Sequence, residues 1–387
     1  MTSKSKPAPG VLKLVRPDIL AMLGYEPIEP SELLAERLGI SPDQIAKLDA
    51  NENPYGPSPR VLQALAEFDG YHRYPDPQQR RLRQALAGYA GVGPEQIVAG
   101  AGSDELIDLL LRAVIAPSGA AGGGAADGVI ICPPTFGMYS FLTRVAGGRV
   151  IEVPRRDDFS LDVEAVCAAA GGAKALFLAS PNNPAGNLLA AEELEALLAT
   201  GLLVVVDEAY IEFAGEGFAP LVPERENLVV LRTFSKWAGL AGLRAGYGIM
   251  PPALADVLMQ IKQPYTPNVA AEVAMLASLE DRERLMEGVR AIVQERERMG
   301  RMLAALEFVE VYPSEANFVL VRLKLGLPEP DGSDGLRVRD GLAEQGVFVR
   351  YFDTPRLRQH LRISAGLPSH TERLVEALRT QGGERGR

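Results

Sequence analysis

The chain has 387 residues, with 40 Lys and Arg, 50 Asp and Glu, 3 His and 2 Cys. This length predicts two to three domains, or one large domain with a smaller one attached. The net charge of −10 argues against a surface for nucleic acid or anionic membranes, and so few Cys and His argue against a disulfide framework or a metal centre. Demanding chemistry must therefore come from carboxylates, Lys, Arg and Tyr, or from a bound cofactor.

The first ten residues, MTSKSKPAPG, are polar and contain proline. They lack the apolar core of a signal peptide, and no run of 18 or more apolar residues follows anywhere in the sequence. Both absences predict a cytoplasmic enzyme with reduced thiols and no membrane partner.

Helical and strand patterns alternate from about residue 80. A helix is predicted over residues 78–90, and helical stretches such as 133–146 separate most of the short apolar runs that follow. The predicted strands are residues 96–99, 129–132, 149–153, 175–180, 202–207 and 228–233. Continuous apolar runs are typical of strands buried on both faces of a parallel sheet. The alternation therefore predicts an α/β domain with a mostly parallel, doubly wound sheet.

A smaller α+β domain is predicted after a long helical stretch at residues 268–306. Its predicted strands are residues 309–312, 317–323, 347–352 and 361–366. The predicted division is an N-terminal arm with part of the small domain at 1–50, a large α/β domain at 51–275 and a small C-terminal domain at 276–387. The low-complexity segments 118–128 and 326–335 are predicted to be flexible surface loops.

Lys236 follows directly on the predicted strand 228–233, in the sequence TFSK. It therefore lies at the carboxyl end of a sheet strand, where α/β folds bind their ligands. A single lysine is usually a solvated surface residue, but this one is surrounded in sequence by Gly, Ala and Leu. A desolvated lysine has a lowered pKa and can act as a Schiff-base nucleophile.

Two further polar clusters follow predicted strands. Asp207 ends the strand 202–207, and a helical turn would point Tyr210 into the same crevice. The turn SPNNPAG at residues 180–186, which contains Asn183, follows the preceding strand. A helix cap and a plain turn are the alternative interpretations.

A glycine-rich turn at Gly100–Glu105 opens a helix, with Ser103 predicted as its N-cap. Such a terminus offers free N–H groups and the positive end of the helix dipole to a phosphate. Many strand-to-helix loops are glycine-rich, so this turn alone is a weak signal. It indicates a phosphate site only in combination with the polar clusters around Lys236 and Asp207. Pyridoxal phosphate needs a phosphate site, a Schiff-base lysine and an acidic partner for its pyridinium nitrogen. The sequence therefore predicts this cofactor.

Several longer stretches carry a family resemblance. They are LDANENPYGPSP (48–59), YHRYPDP (71–77), GAGSDELIDLL (100–110), CPPTFGMY (132–139), ASPNNPAGN (179–187), VVDEAYIEF (205–213), RTFSKWAGLAGLRAGYG (232–248) and LRISAG (361–366). Together they resemble the fold-type I pyridoxal-phosphate-dependent aminotransferases over about residues 11–380. The resemblance implies a large cofactor-binding α/β domain and a smaller α+β domain.

The resemblance also implies roles for individual residues toward the cofactor. Lys236 would hold it as a Schiff base, and Asp207 would pair with its pyridine nitrogen. Asn183 and Tyr210 would hydrogen-bond its phenolic oxygen, and Phe136 would stack on the ring. Lys236, Asp207 and Tyr210 are thus the predicted catalytic residues. The residues predicted around the phosphate are Gly102, Ser103, Asp104, Ser235 and Arg244.

A homodimer with shared active sites is a further implication, because Tyr55 would reach the cofactor phosphate of the neighbouring subunit. Arg362 would clasp a substrate carboxylate through two hydrogen bonds, a geometry that Arg suits and Lys does not. The other residues predicted to bind substrate are Asn183, Arg350, Tyr25 and Tyr265. The alternatives are packing aromatics for Tyr55 and Phe136, and plain loop residues for Tyr25 and Tyr265.

The implied reaction is transamination, with the freed Lys236 amine acting as general base and then acid at the substrate α-carbon. Within the family, the sequence is similar to members that act on histidinol phosphate and 2-oxoglutarate in histidine biosynthesis. The products would be imidazole acetol phosphate and glutamate. An aromatic amino-acid aminotransferase and an O-phosphothreonine decarboxylase of the same fold are the alternatives. A cofactor-sensing regulator would need an appended basic DNA-binding domain, which the net charge disfavours.

Overall fold

The computed structural model describes residues 9–24, 28–116, 127–325 and 334–383. Tyr25 and most of the two low-complexity segments lie outside the described residues, so the predictions for them stay predictions. Within the described ranges, no helix is long and apolar enough to cross a membrane.

A seven-stranded sheet forms the centre of the molecule. Its strands are β2 (Ile97–Gly100), β3 (Gly128–Ile131), β4 (Arg149–Glu152), β5 (Ala175–Ala179), β6 (Leu203–Asp207), β7 (Leu228–Thr233) and β8 (Gly246–Ile249). They run in the order β2-β8-β7-β6-β5-β3-β4, and β8 is antiparallel to both of its neighbours, whereas the other pairs are parallel. The prediction of a mostly parallel α/β sheet is confirmed.

Helices cover both faces of this sheet. The helices of the described residues are α1 (Pro9–Leu12), α2 (Pro17–Leu20), α3 (Ser31–Leu38), α4 (Pro59–Glu67), α5 (Arg80–Ala90), α6 (Ser103–Val114), α7 (Met138–Val145), α8 (Val163–Ala169), α9 (Ala191–Leu198), α10 (Pro252–Ile261), α11 (Val269–Glu280), α12 (Arg282–Ala304), α13 (Asp334–Glu344) and α14 (Pro368–Gly383). Alternate residues of β6 enter different cores: Val205 belongs to the same core as Leu106 of α6, and Val204 belongs to the same core as Leu194 of α9. The continuous apolar strands follow from this burial on both faces.

A second, five-stranded sheet forms the smaller part of the fold. Its strands are β1 (Ala46–Leu48), β9 (Val309–Val311), β10 (Phe318–Leu323), β11 (Val347–Tyr351) and β12 (His360–Ser364), in the order β1-β11-β12-β10-β9. β1 is parallel to β11, so the N-terminal part of the chain contributes a strand to the C-terminal sheet. Arg350 of β11 lies opposite Arg362 of β12. The exact domain boundaries stay a prediction.

Two local predictions were wrong. Gly102 is the N-cap of α6 and Ser103 is its first helical residue, because Gly102 has φ +81°, a conformation that favours glycine. The helix predicted over 133–146 begins only at Met138. The long helical stretch predicted at 268–306 is confirmed as two successive helices, α11 and α12, since Asp281 (φ −105°, ψ 24°) leaves the helical conformation between them.

A buried ion pair joins the carboxyl ends of β6 and β7. Glu208 is fully buried, and its Oε2 accepts a hydrogen bond from Nε of Arg232 (2.9 Å) and lies 2.8 Å from Nη2 of the same guanidinium. We expect Arg232→Met to lower the free energy of unfolding by about 3–5 kcal/mol, because a buried carboxylate loses its cation. Denaturant unfolding of the apoprotein measures this loss. Arg225→Met, which breaks a more exposed pair with Glu195 (2.9 Å), is the control and should cost about 1 kcal/mol or less. Equal losses in both variants would contradict the expectation.

Candidate active site

A cavity of about 140 Å³ lies at the carboxyl ends of β5, β6 and β7. We call it the sheet-edge cavity. It is lined by Ser103, Asp104, Phe136, Tyr139, Ala179, Asn183, Asp207, Ala209, Tyr210, Thr233, Ser235, Lys236 and Arg244. The structure therefore brings together most of the residues that the sequence predicts to bind the cofactor. Parallel strands place their carboxyl ends at one edge, where α/β folds bind ligands.

Lys236 enters the sheet-edge cavity from the segment that follows β7. Its Nζ donates a hydrogen bond to the backbone carbonyl of Ala50 (3.2 Å) and lies 6.0 Å from the centre of the Tyr210 ring. Burial, followed by the positive charge of Arg362, lowers the pKa of Lys236 to about 8. A larger share of this side chain is therefore neutral amine near pH 7 than in an ordinary lysine.

Asp207 is the last residue of β6 and is 4% exposed. Its Oδ2 accepts a hydrogen bond from the phenol of Tyr139 (2.9 Å), and its Oδ1 accepts one from the backbone N–H of Ala209 (3.1 Å). Burial raises the pKa of Asp207 to about 7. Among the residues that the structure describes, Asp207 makes no ion pair, whereas its neighbour Glu208 is paired with Arg232 (2.8 Å). A buried carboxylate without a cation fits a protonated ring nitrogen.

The first turn of α6 and Arg244 form the opposite end of the cavity. Arg244 donates from Nη2 to Oδ2 of Asp104 (2.9 Å), and its Nη1 lies 3.5 Å from Oγ of Ser235. Gly102, which precedes this turn, has φ +81°, a conformation that favours glycine, and Arg244 Nη2 would lie 2.8 Å from a Cβ placed there. Free N–H groups of the helix terminus, a guanidinium and a hydroxyl suit a phosphate.

Arg362 of β12 connects the small sheet to this cavity. It donates from Nη1 to Oδ1 of Asn183 (2.8 Å) and from Nη2 to the carbonyl of Asp49 (2.5 Å), and its guanidinium lies 5.4 Å from the Phe318 ring centre. Arg350, opposite Arg362, lines a separate cleft of about 810 Å³ together with Asp49. The two arginines are thus paired across neighbouring strands, with Arg350 lining this cleft and Arg362 bonded to Asn183 of the sheet-edge cavity.

Two other predicted residues do not line the sheet-edge cavity of their own chain. Tyr55 is 47% exposed and lines a groove with Gly288 of α12. Tyr265 is 42% exposed and stacks on Tyr74, with ring centres 4.1 Å apart. Their assignments to cofactor and substrate therefore stay predictions.

Tyr139 is the principal residue that sequence reasoning missed. It is fully buried in α7, donates to Asp207 and meets Phe136 edge to face, with ring centres 5.5 Å apart. The only sequence signal was its place three residues after Phe136 in the stretch CPPTFGMY. Its partner lies 68 residues further along the chain, so the contact depends on the fold.

Known proteins similar to this chain agree with the geometry. Residues 43–378 match the model of the family described as aminotransferase class I and II. The chain is 52% identical over 373 residues to histidinol-phosphate aminotransferase of Roseiflexus castenholzii, which covers 95% of this chain and 97% of that protein. It is 45% identical over 368 residues to the chloroplastic histidinol-phosphate aminotransferase of Nicotiana plumbaginifolia, with 94% and 86% coverage.

Among solved structures, histidinol-phosphate aminotransferase from Sinorhizobium meliloti in complex with pyridoxal-5'-phosphate is similar with a TM-score of 0.82. The two chains are 30% identical, and the similarity covers 95% of this chain and 98% of that chain. Fold and site together define a pyridoxal-phosphate-dependent transaminase. The chain belongs to the aminotransferase class I and II family. The predicted fold type, cofactor and enzyme class are thereby confirmed.

We expect Tyr139→Phe to weaken cofactor binding roughly tenfold, because a hydrogen bond to a charged group is lost while the ring packing is kept. The pKa of Asp207 should rise further, since the phenol donor favours the ionised carboxylate. Equilibrium binding of pyridoxal phosphate to the apoprotein measures the first effect. Tyr89→Phe, which removes a phenol from the buried Glu212 (3.3 Å) outside the cavity, is the control. If the two variants bind the cofactor equally well, Tyr139 contributes packing alone.

Proposed function

We propose that this protein transfers the amino group of histidinol phosphate to 2-oxoglutarate, a step of histidine biosynthesis. The observation that carries the proposal is the 52% identity to histidinol-phosphate aminotransferase of Roseiflexus castenholzii over nearly the whole of both chains. It is supported by Lys236 and Asp207, which line the sheet-edge cavity, and by Arg362, which hydrogen-bonds Asn183 of that lining (2.8 Å). The products would be imidazole acetol phosphate and glutamate.

The residues around the sheet-edge cavity suit specific parts of the cofactor. Lys236 would hold pyridoxal phosphate covalently, and Asp207 would face its ring nitrogen. Phe136 would cover one face of the ring, and Ser103 with Arg244 would bind the phosphate. When bound, the cofactor supplies an electron sink for the charge left on a substrate carbon that loses a proton.

The Lys236 amine then moves that proton. Its pKa of about 8 lies near neutral pH, where a group can act efficiently both as general base and as general acid. The carbonyl of Ala50, which accepts from Nζ at 3.2 Å, limits the directions that the amine can take. Proton removal and return would therefore both occur within the reach of one side chain.

Arg362 is proposed to bind the anionic group of either substrate. A carboxylate of 2-oxoglutarate can accept two parallel hydrogen bonds from a guanidinium. Histidinol phosphate has no α-carboxylate, so its phosphate is the anionic group that Arg362 would bind, and a doubly charged phosphate suits a second cation beside it. Arg350, directly opposite Arg362 on the neighbouring strand, is the proposed second donor.

A homodimer with shared sites is part of the same proposal. Tyr55 is 47% exposed and lies outside the sheet-edge cavity of its own chain, which suits a residue that serves a second copy. We expect twice the 41.6 kDa chain mass in light scattering. We also expect a mixture of Tyr55→Phe and Lys236→Ala chains to gain activity over either variant alone, because each hybrid dimer has one site with both residues intact. A monomer, or a mixture without such a gain, would contradict shared sites.

The substrate proposal is tested by comparing kcat/KM for histidinol phosphate and histidinol, with 2-oxoglutarate as acceptor. Recognition of the phosphate by arginine predicts a preference of roughly 100-fold for the phosphorylated donor. Equal values for the two donors would contradict the proposal. O-Phosphothreonine without an oxo acid should release no carbon dioxide. Release at a rate comparable to that of histidinol phosphate transamination would favour the decarboxylase instead.

A further inference from the structure

Asn51 is a buried residue that touches the site from the N-terminal segment. It is 1% exposed and has φ +54°, the left-handed region that asparagine tolerates better than most residues. The two residues before it contact the site cations, since the Asp49 carbonyl accepts from Arg362 and the Ala50 carbonyl accepts from Lys236. All three residues of the segment 49–51 therefore lie next to residues of the active site.

Hydrogen bonds with Ser364 fix the orientation of the Asn51 amide. The backbone N–H of Asn51 donates to Ser364 Oγ (2.9 Å), so this oxygen is an acceptor there. The hydroxyl hydrogen of Ser364 is then directed to Oδ1 of Asn51, also 2.9 Å away. Because Oδ1 faces Ser364, the amide nitrogen Nδ2 is turned the other way.

That amide nitrogen lies 3.0 Å from the phenol oxygen of Tyr210. An amide NH₂ group only donates, so the phenol oxygen accepts on this side. A phenol carries one hydrogen, and the bond from Asn51 therefore turns that hydrogen away from Asn51. Tyr210 is buried and lines the sheet-edge cavity together with Asn183 and Lys236.

We propose that Asn51, locked by Ser364, is a positioning residue that makes the Tyr210 hydroxyl a donor into the cavity. Its acceptor would be the phenolic oxygen of the bound cofactor, so the inference rests on the proposed role of this site. The hydrogen bonds from Ser364 through Asn51 to Tyr210 join β12 of the small sheet, the N-terminal segment and the large domain. A change in how the two sheets sit would therefore alter the direction of one hydroxyl.

Asn51→Asp is the direct test, because it keeps the shape, the tolerance of a left-handed backbone and an acceptor for Ser364. It replaces the donor toward Tyr210 with an acceptor, so the Tyr210 hydrogen turns toward residue 51. The readout is the pH titration of the visible absorbance of the bound cofactor without substrate. A donor on the phenolic oxygen stabilises its anion, so losing it should raise the chromophore pKa by roughly one unit, a tenfold shift.

The new negative charge alone could shift the same titration, and a double-mutant cycle separates the two causes. In a Tyr210→Phe background the hydroxyl is absent, so Asn51→Asp should shift the chromophore pKa there only by the effect of its charge, which is less than the shift with Tyr210 in place. An undiminished shift in that background overturns the proposal. Asn227→Asp, a donor-to-acceptor change at a residue that bonds the Leu198 and Leu202 carbonyls, should leave the titration unchanged.

Ser364→Ala covers the case in which Asn51→Asp does not fold. It removes the lock on the amide and should move the chromophore pKa in the same direction by less. An unchanged titration in Ser364→Ala overturns the proposal. Because no substrate is present, a wrong substrate assignment leaves these outcomes untouched, so failure of the two proposals is distinguishable.

Discussion

Lys236→Ala is expected to lower kcat by at least about 10²–10⁴-fold, the contribution of a positioned general acid and base. The loss of covalent attachment adds to this deficit. Steady-state transamination by protein saturated with pyridoxal phosphate measures it. The reason is the placement of Nζ inside the sheet-edge cavity together with a pKa lowered to about 8.

Lys262→Ala is the matched control for that variant. Lys262 is also buried, has a lowered pKa and donates to the carbonyl of Gln263 (2.8 Å), but it does not line the sheet-edge cavity. Its removal should leave kcat within a few-fold of the parent. A Lys236→Ala protein that turns over near the parental rate would contradict the assigned role.

Asp207→Asn is expected to reduce kcat by about 10²–10⁴-fold, the equivalent of about 3–5 kcal/mol for a buried cation that loses its anion. The protonated ring nitrogen would lose its only proposed anionic neighbour, and the electron sink would weaken. Glu212→Gln is the control, because burial also raises the pKa of Glu212 to about 7, outside the cavity. Only the Asp207 variant should lose activity, and similar losses in both would contradict the pairing.

Asp207→Asn and Glu212→Gln should change the pH dependence of the apoprotein's stability in the same direction. Burial raises the folded-state pKa of Asp207 to about 7, whereas an unfolded aspartate titrates near about 3.9. Ionisation is therefore disfavoured in the folded state, and this carboxyl lowers stability as pH rises from about 4 to about 7. Asp207→Asn removes this loss of stability. The melting temperature of the variant, relative to that of the parent, should therefore rise as the pH increases over this range. Glu212→Gln should gain in the same way, and a fall in either variant would contradict the burial account.

Strand ends were the part of the site that could be predicted from the sequence. Asp207 and Lys236 follow the apolar runs of β6 and β7, and both runs are buried on two faces. Continuous burial leaves a strong signal in sequence, and the parallel arrangement then puts the residues after each strand at one edge. The position of Arg362 within β12 could be predicted, but its bond to Asn183 could not, because the two residues are 179 positions apart.

Short strands and long-range polar contacts left no such signal. β8 consists of GYGI, where glycine removes the apolar run, and β1 has only three residues. Gly246 is needed because a Cβ there would come within 2.6 Å of the Gly102 carbonyl carbon, a contact visible only once the chain is folded. Asn51 and Ser364 are 313 residues apart, so their lock on Tyr210 follows from β1 joining the C-terminal sheet.

The most direct test of the central claim is a half-reaction panel on the purified enzyme with bound pyridoxal phosphate. Histidinol phosphate, phenylalanine and O-phosphothreonine are added separately, without an oxo acid, and the change in cofactor absorbance is followed in time. We predict that histidinol phosphate converts the cofactor fastest and at the lowest concentration. A response to phenylalanine that far exceeds the response to histidinol phosphate would contradict the proposed function.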